Sequence, residues 1–273
     1  PGWRSTIHGR QWIRTLELAA FPKIGRLRVD EIERGHVYDV LAPIWLATPE
    51  TARRVSQRIE RVLRWAVGRG FRDASVDMAL VRDALPRQPR GVRHMPALHW
   101  QDVPAFWRRL DASPTTPAVR LALRVLILTA VRPGNVAQAR AAQIAGDVWT
   151  IPAGEMKVKS AGDHRVPLPP AAVRIVELTA DLRGSGWLFS DGQRSLSRDT
   201  LRMAMRRMDE AATPHGFRSS FKEWSLANGW ADHLSELQLA HADKNPVRAA
   251  YARSDLLEER RVMMEAWADF VTG

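Results

Sequence analysis

The chain has 273 residues, of which 45% are hydrophobic, so it is long enough to bury one large core or two ordinary ones. Its apolar runs are too short and too interrupted to span a bilayer, and its start has neither an initiator methionine nor a signal-sequence core. The absence of cysteine excludes disulfides and thiolate metal sites. We therefore expect a fragment or processed product of a longer cytoplasmic protein that has no membrane partner.

Charge points to the class of partner. The chain carries 41 basic and 30 acidic side chains, a net charge of +11, and nearly all of the cations are arginines. Residues 1–97 hold 18 of the basic and 10 of the acidic side chains, so most of the excess lies in the first third. A basic, arginine-rich chain favours nucleic acid as its partner, and a solvated basic surface is the alternative.

Four helices are predicted in residues 1–85, over Trp3–Ala20, Asp30–Leu46, the segment after the Thr48-Pro49-Glu50 cap, and Ala74–Leu85. The third helix places Val55, Ile59, Val62, Leu63 and Ala66 inside and a row of arginines outside. A proline-rich cationic linker at residues 86–97 then separates the helices from a second domain at 98–273. The side chains expected to contact DNA are Arg53, Arg54, Arg58, Arg61 and, in the linker, Arg93.

The second domain is predicted to be mostly helical, with a small sheet inserted early. Strands are expected at residues 148–152, 157–161 and 164–168, the last two around the Gly162-Asp163 turn. Helices are expected before this sheet at 102–112, 117–129 and 136–144, and they resume after it. The helices after the sheet are expected at 171–181, 199–212, 218–228, 234–239, 246–252 and 256–271. The fold class is therefore mainly α with a small antiparallel β-sheet.

Five side chains occur in an order that suits attack on a phosphodiester. They are Arg132 in Thr129-Ala-Val-Arg-Pro-Gly, His215 and Arg218 in His-Gly-Phe-Arg, His241 in Leu-Ala-His, and Tyr251 ten residues later. A phenol attacks phosphate poorly unless cations hold the anion and assist proton transfer. Arginine is the side chain whose geometry best matches phosphate oxygens. Taken singly, each of these residues is more often structural, so the ordered set is what predicts a function.

This set resembles the tyrosine recombinases, and the phage-type integrases in particular, over essentially the whole chain. The resemblance implies a SAM-like core-binding domain, an α+β catalytic domain and no counterpart of the further N-terminal arm-binding domain of longer integrases. It implies that Tyr251 is the nucleophile and that Arg132, His215, Arg218 and His241 assist it. A hairpin lysine completes the site: the offset from Pro167 selects Lys159, while a Met-Lys pair matches Lys157. Asn135 stands where many members have an acidic residue.

The resemblance also implies partners and alternatives. The partners would be double-stranded DNA attachment sites, gripped as a clamp, with a homotetramer on two sites, a monomer when free, and accessory bending and excision proteins. Neither a metal nor another cofactor is expected. The alternatives are a catalytically silent DNA-binding regulator and a topoisomerase of type IB. The apolar C-terminal helix has two readings, packing on its own domain or docking on a neighbouring protomer.

Overall fold

The computed structural model describes residues 6–89, 95–156, 162–179, 186–190, 192, 194–241 and 254–273. The chain divides into two compact units, residues 1–93 and 94–273. The first unit is helical, as its apolar periodicity predicts. Its helices are α1 (Thr6–Ala19), α2 (Phe21–Ile24), α3 (Arg34–Trp45), α4 (Pro49–Gly68) and α5 (Met78–Asp83).

Helix α4 organises the first unit. It begins after Thr48 with Pro49 in its first turn, as the sequence predicts, because proline has no backbone N–H to leave unsatisfied there. Its buried stripe recurs every three or four residues, as expected for a helix that packs on one side, and consists of Ala52, Val55, Ile59, Leu63 and Ala66. Val62 was also expected inside, but it lies at the edge of this stripe and is exposed.

The second unit contains helices, a three-stranded sheet and short 3-10 turns. The helices are α6 (Val103–Arg109), α7 (Pro117–Thr129), α8 (Pro133–Ala137), α9 (Pro170–Leu178), α10 (Arg198–Arg207), α11 (Phe217–Ala227), α12 (Asp232–Gln238) and α13 (Leu257–Thr272). The strands are β1 (Ile144–Ala145), β2 (Val148–Ile151) and β3 (His164–Pro167). They pair antiparallel in the order β1-β2-β3, with Thr150 opposite Arg165.

Helix α7 lies at the centre of this unit. Its residues from Val125 to Thr129 are all buried, so it is covered on every side, and it packs against α9, α10 and α13. It ends at Ala130, whose φ of 51° is left-handed and turns the chain away from the helix axis. The expected helix over 136–144 is wrong: α8 ends at Ala137, and a 3-10 turn and β1 follow, because Arg140 pairs with Trp187 and Ile144 pairs with Trp149 of β2.

The predicted linker is shorter in the structure than in the sequence, because both of its ends pack on the adjoining unit. On the first unit, the Trp45 indole donates to the Pro86 carbonyl and the Gln88 amide donates to the Trp45 carbonyl. On the second unit, the Thr213 backbone N–H donates to the Pro96 carbonyl. Residues 90–94 between them, with Arg93, lie outside the described residues.

Candidate active site

Arg132 is placed by the left-handed turn that ends α7. After Ala130 the chain reverses, and Arg132 is the residue that precedes the first turn of α8, with Pro133 next. Its side chain is half-buried, and its Nη2 donates to the Ala240 carbonyl at 2.9 Å. The turn thus directs this guanidinium towards the segment that follows α12.

Arg218 lies in the first turn of α11 and is buried, with 5% of its surface exposed. Its Nη1 donates to the Ala130 carbonyl at 2.7 Å, and its Nη2 donates to the Leu239 carbonyl at 2.6 Å and contacts His241 Nε2 at 3.1 Å. The helix can start here because Gly216 has no Cβ, since a Cβ would collide with the Pro96 carbonyl and Ala97. The segment after the linker therefore supports the turn that carries His215 and Arg218.

Three consecutive residues, Leu239, Ala240 and His241, bind both guanidiniums. Leu239 and His241 contact Arg218, and Ala240 contacts Arg132. Ala240 has a φ of 47°, a left-handed conformation that costs a residue with a Cβ about 1–2 kcal/mol. Such strain persists where the surroundings fix the backbone, and here it aims two adjacent peptide groups and an imidazole at the two arginines. The structure thus brings the Arg218 and His241 side chains into contact, and Arg132 reaches the same segment through the Ala240 carbonyl.

Electrostatics make this cluster a receptor for an anion. Burial, together with repulsion from Arg132, lowers the pKa of Arg218 to about 9, although Glu236 opposes the shift. Burial also lowers the pKa of Arg132. Each guanidinium has five N–H donors, more than the contacts above engage. A phosphate between them would relieve the repulsion and accept hydrogen bonds from the remaining N–H groups, so the site suits a negatively charged group.

Of the other predicted catalytic residues, the structure describes only His215. His215 is exposed and lies one turn before Arg218, and its carbonyl accepts from the Arg218 backbone N–H at 3.2 Å. Lys157, Lys159 and Tyr251 lie outside the described residues, as do the expected strand at 157–161 and helix at 246–252. Asn135 approaches the Glu155 carbonyl with its amide at 3.5 Å, which is at the limit of a hydrogen bond.

Sequence reasoning missed a set of polar residues behind the site. Glu236, on α12, accepts a hydrogen bond from His241 Nδ1 at 2.9 Å and pairs with Lys222 on α11 at 2.6 Å. Gln238 donates to the Thr129 carbonyl and accepts from the buried Arg260 of α13. Glu236 and Gln238 precede Leu-Ala-His on the helix that leads into the site, but they belong to no recognisable sequence motif.

His164 on β3 is a second missed residue. Its Nε2 contacts the Gln238 carbonyl at 3.2 Å. Burial and the positive charges of Arg260, Arg132 and Arg218 lower its pKa to about 4, although the hydrogen bond to Gln238 opposes the shift. His164 is therefore neutral at pH 7, and it adds a hydrogen bond to the site's supporting layer without adding a third positive charge.

The arginines expected to bind DNA differ in what they contact. Arg53 and Arg54 both pair with Glu50 one turn earlier, and Arg61 is exposed. Arg58 instead donates to the Gln11 and Trp12 carbonyls at 3.2 and 3.3 Å and lies over the Trp12 ring. Arg58 therefore ties α4 to α1, a role that the sequence pattern did not predict.

The residues that the structure describes contain neither a metal-binding cluster nor a membrane-spanning helix. Among them, no three His, Asp or Glu side chains are grouped so that they could hold a metal ion. Within the same ranges, no helix is long and apolar enough to cross a membrane.

Family models match both units. The model of the phage integrase central domain matches residues 1–82, and that of the phage integrase family matches residues 97–257, which include the clustered arginines and His241. The chain belongs to the phage integrase family. The resemblance to tyrosine recombinases is thereby confirmed, as is the mainly α fold with a small antiparallel sheet.

Individual relatives agree with this assignment. The chain is 32% identical to a prophage integrase, IntA, of Escherichia coli K12, over 94% of this chain and 63% of that protein. It is 31% identical to the integrase of Enterobacteria phage P4, over 98% of this chain and 65% of that protein. The chain thus spans just under two thirds of the length of either relative.

Solved structures share the fold at low identity. A lambda integrase (residues 75–356) solved as a dimer bound to a core site superposes with a TM-score of 0.67 at 15% identity, over 92% of this chain and 90% of that one. A lambda integrase tetramer bound to a Holliday junction gives 0.69 at 13% identity, over 92% of this chain and 72% of that one. At such identities the similarity establishes the fold.

Proposed function

We propose that this chain comprises the core-binding and catalytic domains of a site-specific DNA recombinase, encoded by a prophage, genomic island or other mobile element. The supporting observation is the convergence of Arg132, Arg218 and His241 at the turn that ends α12. Membership of the phage integrase family supports a role in DNA integration. The proposed domains are residues 1–85 for core binding, 86–97 for the linker and 98–273 for catalysis.

The proposed reaction is a pair of transesterifications. The Tyr251 hydroxyl attacks the scissile phosphorus, a 3′-phosphotyrosine forms, and the bond to the 5′ oxygen breaks. Arg132 and Arg218 bind the non-bridging oxygens and stabilise the charge that builds up in the transition state. His241 adds a hydrogen bond, His215 assists proton transfer with the phenol, and Lys159 protonates the leaving 5′ oxygen. Rejoining by a 5′-hydroxyl reverses these steps and returns the phenol, so the exchange needs no cofactor or metal.

The proposed partners follow from the same reaction. A recombinase acts on two duplex attachment sites, so we propose a homotetramer on two DNA sites, formed from chains that are monomeric when free. Structural neighbours solved with DNA, including one as a tetramer on a Holliday junction, support this stoichiometry. DNA-bending and excision proteins are proposed accessory partners, and the bacterial cytoplasm, at the nucleoid, is the proposed place of action.

The test is the covalent intermediate. The chain selects a site from a randomised duplex pool, and that site is then built into a nicked suicide duplex from which the 5′-hydroxyl strand is lost after cleavage. We expect a protein–DNA adduct with the wild type and, with Tyr251→Phe, normal binding without an adduct. An adduct with Tyr251→Phe would contradict the assignment of the nucleophile. DNA binding without any wild-type adduct would support the silent regulator, and relaxation of supercoiled DNA without strand exchange would support the topoisomerase.

A further inference from the structure

Glu236 connects the candidate active site to a lysine that the proposed reaction does not use. One carboxylate oxygen, Oε2, accepts from His241 Nδ1 at 2.9 Å, and the other, Oε1, lies 2.6 Å from Lys222 Nζ. Lys222 also contacts Asp232 Oδ1 at 2.6 Å and Ser235 Oγ at 2.8 Å. Lys222 and Arg218 lie one helical turn apart on α11, so the lysine is fixed by the same element as the catalytic arginine.

The partners of His241 determine where its proton lies. Arg218 Nη2 is 3.1 Å from His241 Nε2, and a guanidinium can only donate, so Nε2 is the acceptor. In the neutral ring the hydrogen is then on Nδ1, where the Glu236 carboxylate accepts it. The guanidinium can only donate and the carboxylate can only accept, so the hydrogen-bonding role of each ring nitrogen is determined. The two contacts also fix the orientation of the ring.

We propose that Glu236, held by Lys222, is a positioning residue that fixes the tautomer and orientation of His241. This inference rests on the proposed function, because Arg218, whose Nη2 donates to His241, binds the scissile phosphate there. The carboxylate keeps the hydrogen on Nδ1 and leaves Nε2 as an acceptor that orients the Arg218 guanidinium. Burial opposes ionisation of Glu236, but its hydrogen bonds with Lys222 and His241 hold its pKa below the ordinary value, so the acceptor is a carboxylate at neutral pH.

Replacement of Glu236 by glutamine separates positioning from simple packing. A glutamine has one acceptor oxygen and one NH2 group, whereas Lys222 and His241 both donate to the carboxylate. Lysine has no acceptor, so the amide oxygen must face Lys222 and the NH2 must face His241. His241 Nδ1 then has to accept, its hydrogen moves to Nε2, and Nε2–H confronts the donors of Arg218. Glu236→Gln therefore reverses the tautomer while keeping the shape of the side chain.

A second substitution should restore the wild-type arrangement. In Lys222→Met/Glu236→Gln the lysine no longer competes for the amide oxygen, which can turn to His241 while the NH2 turns to Asp232. The Nδ1–H tautomer should return. A merely structural role predicts the opposite, because two substitutions in one polar network would disturb the site more than one.

The experiment reads the tautomer directly. The 15N shifts of the His241 ring are recorded in the DNA-free full chain, with His241→Asn used to assign the signals. We expect an Nδ1–H ring in the wild type, an Nε2–H ring in Glu236→Gln and an Nδ1–H ring in the double variant. Asp199→Asn, which removes a carboxylate from an exposed ion pair with Arg202, is the matched control and should resemble the wild type.

Adduct formation on the suicide duplex then connects the tautomer to catalysis. Groups that orient a metal-bound histidine are typically worth 10–100-fold, and by analogy we expect Glu236→Gln to slow the adduct by on the order of tenfold and the double variant to recover most of that loss. Unchanged ring shifts and an unchanged adduct rate in Glu236→Gln would overturn the positioning role. A wild type with the expected tautomer but no adduct would instead count against the proposed function.

Discussion

At the residue scale, the candidate site combines two arginines with neighbouring side chains that add no further positive charge. Arg218 has a lowered pKa because it is buried beside Arg132. His164, in the layer behind the two arginines, stays neutral for the same physical reason. A site that must attract a phosphate needs concentrated positive charge, but each additional buried cation raises the cost of folding. His164 limits that cost because it contacts the Gln238 carbonyl as a neutral ring. Glu236 limits it because it accepts from His241 as an anion.

His164 makes stability depend on pH. Its pKa is about 4 in the folded chain, against about 6.5 in the unfolded chain. Between these values the unfolded chain binds a proton that the folded chain excludes, so the free energy of unfolding falls as pH is lowered from 6.5 to 4 and changes no further below 4. The full effect is at most about 3 kcal/mol. Chemical denaturation of the wild type and His164→Gln should show a flatter pH dependence in the variant, and equal slopes would contradict the buried neutral state.

At the element scale, the C-terminal helix packs on its own domain. Trp267, Met263 and Met264 are fully buried, and the Trp267 indole donates to the Ile127 carbonyl of α7 at 2.8 Å. Of the two readings of this helix, the structure therefore supports cis packing in the single chain. The same helix also buries a charged side chain, Arg260, which is 1% exposed.

Arg260 can be buried because its donors are satisfied. Its guanidinium donates to the Arg165 and Asp255 carbonyls and to Gln238 Oε1. These bonds join α13 to β3 and to α12, the helix that leads to His241. Burial nevertheless lowers the pKa of Arg260 to about 10, against the opposing attraction of Asp255. Helix α13 is thereby anchored to the strand and helix that support the candidate site.

Substitution along α13 should distinguish the anchoring face from the exposed face. Trp267→Ala removes a fully buried ring and a hydrogen bond, and we expect it to destabilise the second unit by about 3–5 kcal/mol. Val262→Ala, at a position on the same helix that is 58% exposed, should change stability by no more than about 0.5 kcal/mol. Thermal and chemical unfolding of both variants measure this. A small loss for Trp267→Ala would mean that the helix is not an integral part of the unit.

At the scale of the whole molecule, the types of element could be predicted from the sequence better than the contacts between them. Arg132, Arg218 and His241 could be proposed as site residues because their order and spacing are local patterns. Glu236, Gln238 and Arg260 could not, because their roles depend on contacts between α12, β3 and α13 that no local period encodes. The expected helix over 136–144 is wrong for a related reason, since Arg140 pairs with Trp187, which is distant in sequence, and Ile144, at the end of the segment, pairs with β2.

Exposed arginines of the first unit are expected to contribute to the affinity for DNA and to its salt dependence. Arg61 is exposed, whereas Arg58 donates to two α1 carbonyls. If Arg61 contacts a DNA phosphate, Arg61→Ala should reduce the slope of log affinity against log salt by about 0.9 and leave stability unchanged. Arg58→Ala should lower stability by about 1 kcal/mol, because it removes the hydrogen bonds between α4 and α1 and the contact with the Trp12 ring. Binding titrations of the selected site at several salt concentrations, with unfolding of the same proteins, separate the two arginines. An Arg61→Ala slope equal to that of the wild type would remove this residue from the DNA interface.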